Sequence, residues 1–153
     1  MKDAKIFVGA VVERHKDILL VRQSPGHPLA GRWTVPWGAI EPGESPLSAA
    51  LREIWEEGGI RAEAVGLLGV QELPSPQAGS IALVYLCRHV SGTPQPHDRE
   101  TDAARYFSLS ALDALDDPVE PWSNWLVRRI YARRFTVTYA DATNPLRQRG
   151  AFI

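Results

Sequence analysis

Residues 38–60 read G-A-I-E-P-G-E-S-P-L-S-A-A-L-R-E-I-W-E-E-G-G-I, and the chain is organised around them. Glu53, Glu56 and Glu57 fall at i, i+3 and i+4, a spacing that gathers them on one face of a helix. The helix signals are present. Ser45 is placed to cap the N-terminus, and Pro46 then takes the first helical position, where its missing N–H costs nothing. Gly58 and Gly59 supply the stop, so the spacing predicts a helix from Pro46 to about Glu57. Leu47, Ala50, Leu51 and Ile54 mark a buried stripe, set about 120° from the carboxylates at ~100° per residue. Ala49 falls among the carboxylates, where its small side chain is expected to leave the surface open.

Three like charges on about one helical turn repel. The ordinary reading of such a cluster is a solvated acidic face, yet the only basic residue in this helix is Arg52. A hard divalent cation, which prefers oxygen ligands, makes the cluster favourable. The whole stretch fills the pattern G-x5-E-x7-R-E-U-x-E-E-x-G-U, where U is aliphatic, with Gly38, Glu44, Arg52, Glu53, Ile54, Glu56, Glu57, Gly59 and Ile60. This resembles the signature of the Nudix hydrolases. The resemblance implies a loop–helix–loop that binds Mg²⁺ or Mn²⁺ and cleaves a diphosphate linked to another group. It also implies an α/β fold, an α/β/α sandwich around a mixed sheet.

Length and composition agree with that class. The 153 residues suit one domain, expected over 1–140 with a C-terminal tail at 141–153. A net charge of −1 draws the chain neither to nucleic acid nor to an anionic membrane surface. The single cysteine, Cys87, lies in the apolar run I-A-L-V-Y-L-C and is expected as a buried, unreactive thiol. A reducing cytoplasm is the expected compartment. No run of 18 apolar residues occurs.

Strands are expected at Lys5–Glu13 and Ile18–Gln23, joined as a hairpin through His15-Lys16-Asp17. Ser24–Arg32 is a loop, and Trp33–Pro36 a short strand leading into Gly38. Arg61–Leu73 reads as a strand bent at Gly66 or Gly69, Pro74–Gly79 as a turn, and Ser80–Val90 as the most apolar strand. A polar loop over Ser91–Ala104 is followed by a short strand, Arg105–Ser108. Leu109–Leu115 and Trp122–Arg134 read as helices, and Phe135–Ala140 as a final strand. The tail is also compatible with a dimer arm.

Hydrolysis of a diphosphate needs charge neutralisation, a positioned water and a base. Glu56 and Glu57 are the first choice as direct metal ligands, and Glu53 either ligates or orients the water. The resemblance adds the backbone carbonyl of Gly38 as a ligand. Arg52 is expected to hold the carboxylates in position, with Glu44 bracing the loop through it and Gly59 ending the helix. Some relatives take their base from the box and others from the loop before a late strand; here that loop carries Glu100, flanked by Asp98 and Asp102. Relatives commonly carry Pro-Gly-Gly where this chain has Pro36-Trp37-Gly38, so Trp37 stands where glycine would permit positive φ. Trp37 is either a stacking face beside the metal or a packing residue.

Phe7, Arg22, Trp33 and Tyr85 are candidates for contacting the group attached to the diphosphate, with their facing left open by strand alternation. His27 is placed on the surface or at a pocket edge. His15 is read as a turn residue, and the four histidines show no ligand spacing. Pro74 lies 15 residues past Gly59, near a place where relatives that cleave ADP-ribose carry proline, and Pro76 competes for that place. The expected substrate is a nucleoside diphosphate derivative: ADP-ribose, a nucleotide sugar or a nucleoside triphosphate. The alternatives are a Nudix module that senses a nucleotide without cleaving it, and a prenyl diphosphate isomerase relying on Cys87.

Overall fold

The structure, a computed structural model, describes residues 3–133, 143, 145, 146 and 150–152. β1 (Ile6–Arg14) and β2 (Asp17–Gln23) form the expected hairpin. Its two turn residues, His15 and Lys16, take φ of 51° and 72°, the conformation whose twist suits a tight hairpin. The strand expected over Trp33–Pro36 is split. β3 (Trp33–Thr34) pairs with β2, and β4 (Trp37–Ala39) pairs with β1 opposite Phe7–Gly9. Pro36, which has no N–H to give a ladder, marks the crossing and accepts a hydrogen bond from Ala10 N–H through its carbonyl.

β5 (Arg61–Glu72) and β6 (Ile81–Ser91) are antiparallel, and β6 runs parallel to β1 from Ile6↔Ile81 to Glu13↔Arg88. β5 shifts register next to both glycines expected to bend it, between Ala64 and Gly66 and between Leu67 and Gly69. β7 (Thr101–Phe107) pairs with β2 and begins four residues before the expected Arg105, because small Ala103 and Ala104 hid its alternation. β8 (Gly150–Phe152) pairs with β5 at Gly69–Gln71. Part of the expected tail is therefore strand, and three residues are too few to show a period. The strand expected at Phe135–Ala140 lies outside the described residues.

Among the described residues, three helices cover the sheet. α1 (Pro46–Glu53) is capped by Ser45, whose hydroxyl accepts from Ser48 N–H, and continues as a π turn over Ile54–Gly58. Gly59 ends it at φ 72°, where a side chain is disfavoured. α2 (Leu109–Asp113) is capped by Ser108. α3 (Pro121–Tyr131) is capped by Glu120, which accepts from the N–H groups of Trp122 and Ser123. It ends three residues short of the expected Arg134, at a turn that puts Arg133 at φ 52°.

Strand alternation sends side chains to two cores. Ala10, Val12, Leu19, Ile60 and Cys87 pack with Ile54 beneath α1 and the π turn. Val11, Ile18, Leu20, Trp33 and Phe107 pack with Leu126, Val127 and Ile130 of α3. The result is the expected α/β/α sandwich around a mixed sheet. Among the described residues, no helix is long and apolar enough to cross a membrane.

Candidate active site

The buried side of α1 keeps Ala50, Leu51 and Ile54 of the expected stripe but extends beyond it. Ala49, Ala50, Glu53 and Ile54 are buried, and Glu57 follows on the π turn, whereas Leu47 is 37% exposed. The expectation that Ala49 leaves an open surface fails, because Ala49 packs against Val8 and Ala50. The cause is Gly38. A Cβ built there would fall inside the Glu53 carboxylate, so glycine alone lets β4 and α1 approach this closely. The helix consequently turns its 49–53–57 side toward the sheet.

The three glutamates occupy different environments. Glu53 and Glu57 are 5% and 1% exposed, while the Glu56 side chain is 38% exposed. The carboxyls of Glu53 and Glu57 act on each other electrostatically, and Trp37 N–H donates to Glu57 Oε1 at 2.9 Å. Burial pushes the Glu53 carboxyl up to about 7, against the pull of Arg52. Glu57 is pushed well above the usual carboxylate range, first by burial and next by the charge of Glu53, with Asp98 adding to the effect.

Arg52 ties the cluster together. Its Nε and Nη2 grip both oxygens of Glu44 at 2.8 and 3.0 Å, its Nη1 donates to Glu53 at 2.7 Å and Glu56 at 3.2 Å, and Nη2 also reaches the Ala39 carbonyl. Glu44 is held below the usual carboxylate range by that guanidinium. Arg52 and Glu44 thus form a bidentate ion pair beside the other carboxylates.

The residues suit a hard divalent cation by their chemistry. All donors are oxygens, and two buried carboxylates stand side by side, an arrangement that costs free energy unless a proton or a cation offsets it. Among the described residues no three acidic, histidine or cysteine side chains already converge on one point. Arg52 bridges Glu53 to Glu56 instead.

The loop before β7 lies over the π turn. Gln95 N–H donates to the Gly58 carbonyl, His97 and Asp98 N–H to that of Glu56, and Thr101 Oγ1 to that of Glu57. Of the acidic residues there, Asp98 is the one whose charge reaches Glu57. Glu100 is exposed, its N–H bonded to Asp98 and its carbonyl to Ser24. Asp102 is engaged by Arg22. Glu100 thus stands exposed at the start of β7, with no hydrogen bond or ion pair joining its carboxylate to the cluster among the described residues.

A cavity of about 180 Å³ adjoins the cluster through Trp37. Phe7, Leu29, Trp37, Pro74 and Trp122 form much of its wall, and no Lys or Arg among the described residues lines it. Trp37 is half-buried, at 6.1 Å from the Phe7 ring and edge-on to His27 at 6.5 Å. It is absent from the non-glycine residues with positive φ, so this position never required glycine. Two other expected contacts lie elsewhere. Trp33 is 4% exposed, packs edge-on to Phe107 in the α3-side core and donates through Nε1 to Asp117. Arg22 pairs with Asp102 and Asp117. The β2–β3 pairing puts both side chains on the α3 face of the sheet, away from the cavity wall. Tyr85 packs on the α1 side. Trp122 was missed as a cavity residue, since its amphipathic helix gives no sign of which loop it meets. Cys87 is fully buried with its thiol pushed up to about 12 by burial.

The family model of the NUDIX domain matches residues 4–130. The chain belongs to the Nudix hydrolases. It is 30% identical over 118 residues to the 8-oxo-dGTP diphosphatase of Escherichia coli, the match covering 77% of this chain and 90% of that one. It is 31% identical over 109 residues to the NAD-capped RNA hydrolase NudC of Chromobacterium violaceum; there the match covers 71% of this chain but 40% of the relative's length. Among solved structures it resembles a MutT Nudix hydrolase from Burkholderia pseudomallei, with a TM-score of 0.69 and 30% identity over 84% of this chain and 99% of that one.

Proposed function

We propose that this Nudix hydrolase is a divalent-cation-dependent pyrophosphohydrolase of nucleoside diphosphate derivatives, with Glu53, Glu56 and Glu57 as the carboxylate ligands and the Gly38 carbonyl beside them. The observation that carries this reading is the buried pair Glu53 and Glu57, pressed against Gly38 next to a largely apolar cavity. A bound Mg²⁺ or Mn²⁺ would neutralise diphosphate charge and favour the hydroxide form of a nearby water. Arg52, anchored bidentately on Glu44, bridges Glu53 and Glu56 and so orients them. Trp37 N–H fixes Glu57 by holding one of its oxygens. Glu53, held by Arg52, is also placed to orient the attacking water.

The cavity takes the part of the substrate that carries no phosphate. Its walls are mainly apolar and aromatic, with Glu120 and Gln77 among the polar lining residues, and Trp37 and Phe7 offer ring faces for a base, a contact worth ~1–3 kcal/mol by analogy with single-strand recognition. Pro74 lies in that wall, in keeping with an ADP-ribose type substrate. The names of the curated relatives, an 8-oxo-dGTP diphosphatase and an NAD-capped RNA hydrolase, support a nucleotide substrate.

The test is a hydrolysis screen over ADP-ribose, NAD, nucleotide sugars, nucleoside triphosphates and dinucleoside polyphosphates with Mg²⁺ or Mn²⁺. Release of a nucleoside monophosphate only with metal supports the reading, and tight binding without turnover across the panel would point to a sensing module. Cys87→Ser is expected to leave kcat within about twofold while lowering stability by ~1–2 kcal/mol through a buried hydroxyl. A thousandfold loss of turnover in that folded variant would instead favour thiol chemistry.

A further inference from the structure

Trp55 sits inside the box between Glu53 and Glu57, and no role assigned above uses it. Two basic side chains pack on its indole. The Arg61 guanidinium lies 3.7 Å from the ring centroid, and the His97 imidazole stacks at 4.2 Å with its plane tilted by 22°. Arg61 begins β5, whereas His97 belongs to the loop before β7. The indole therefore joins three separate segments at the C-terminal end of the helix.

That end of the helix has carbonyls without intrahelical partners, and the same loop satisfies them. His97 N–H donates to the Glu56 carbonyl at 2.8 Å and Asp98 N–H to the same oxygen at 3.1 Å. Gln95 N–H donates to the Gly58 carbonyl at 3.0 Å, and Thr101 Oγ1 to that of Glu57 at 2.9 Å. The Gln95 carbonyl lies so close to the Gly59 Cα that any Cβ there would meet it. The backbone atoms of Glu56 and Glu57 are thus held from outside the helix, by a segment that the Trp55–His97 stack secures.

We infer that Trp55 is a positioning residue: its stack with Arg61 and His97 clamps residues 95–98 onto the π turn and so fixes the direction of Glu56 and Glu57. The clamp also sets Asp98 where its charge acts on Glu57. An aliphatic side chain at this position would continue the helix but offer no ring face to either partner. The inference rests on the reading of Glu56 and Glu57 as cation ligands.

The test uses the full chain with Trp55→Ala, Trp55→Phe, His97→Ala and the Trp55→Ala/His97→Ala double variant. Amide hydrogen exchange, measured without metal, reports whether the loop is held. Kinetics at saturating Mg²⁺, well below each melting temperature, report whether the carboxylates are aimed. Trp55→Ala is expected to speed exchange at Gln95, His97 and Asp98 by about tenfold with β1 and β6 still protected, and to lower kcat about tenfold with KM little changed. Trp55→Phe should restore most of both, and His97→Ala should add little to Trp55→Ala. Unchanged loop exchange, or a lower melting temperature with kcat intact, overturns the clamp; if Trp55→Ala does not fold, Trp55→Phe and His97→Ala decide on the same readouts. A wild-type chain that hydrolyses nothing in the screen would refute the proposed function, and exchange would still judge the clamp.

Discussion

Glu57→Gln should lower kcat by at least ~10²-fold at saturating Mg²⁺ while melting no lower than the wild-type chain without metal. Glutamine keeps the size and helix propensity of glutamate, and its side-chain oxygen still accepts from Trp37 N–H. It also mimics the protonated form that burial and Glu53 already favour at this position. The fold should therefore tolerate the change, and the like-charge interaction with Glu53 disappears. What is lost is an anionic ligand. Kinetics on a substrate found in the screen, with metal raised until the rate no longer responds, separate lost chemistry from weakened affinity. More than half the wild-type turnover under those conditions would remove Glu57 from the cation site.

A comparable loss is expected from Gly38→Ala, for a steric reason. The added methyl would occupy the position of the Glu53 carboxylate, which cannot retreat because it is buried beneath α1 and tied to Arg52. Either Glu53 leaves its position or β4 and α1 separate. Displacement by about 1 Å is enough to cost ~10²-fold in kcat, and overpacking of this kind destabilises by ~1–3 kcal/mol. Thermal melting of Gly38→Ala against Gly38→Ala/Glu53→Ala checks the cause: removing the Glu53 carboxylate should restore much of the lost stability. If the double variant melts lower still, the collision is not with Glu53.

The box was readable because its chemistry demands particular residue types at helical spacing. Arg52 reaches Glu53 and Glu56 on its own helix and Glu44 in the loop before it. That burial extends from Ala50 and Ile54 round to Glu53 and Glu57 was not readable. That depends on Gly38, whose missing side chain lets β4 approach, and on a π turn that periodicity at 3.6 residues does not foresee. The facing of Trp33 and Trp37 was equally hidden, since two- and three-residue strands carry no measurable alternation. Trp37 reached the site and Trp33 the core. The bond from Thr101 to the Glu57 carbonyl spans 44 residues, and no local pattern predicts it.

The central claim is that the buried carboxylate pair is a cation site, and melting temperature as a function of pH, with EDTA or with saturating Mg²⁺, tests it most directly. Without metal, folding holds the Glu53 carboxyl near 7 and Glu57 well above its usual range, whereas in the unfolded chain both ionise near 4.5. The folded state then binds more protons than the unfolded one, so this contribution is fully present below about pH 4.5 and is lost as pH rises toward and through 7. For Glu53 alone the loss is on the order of 3 kcal/mol, or roughly 5–10 °C for a chain of this size. Mg²⁺ binds the ionised pair and offsets that loss by mass action. Melting temperature should fall between pH 5 and 7.5 in EDTA, and the gain from Mg²⁺ should be small at pH 5 and grow steadily to pH 7.5. A Mg²⁺ gain that is absent at pH 7.5, or equal at both pH values, would contradict the central claim.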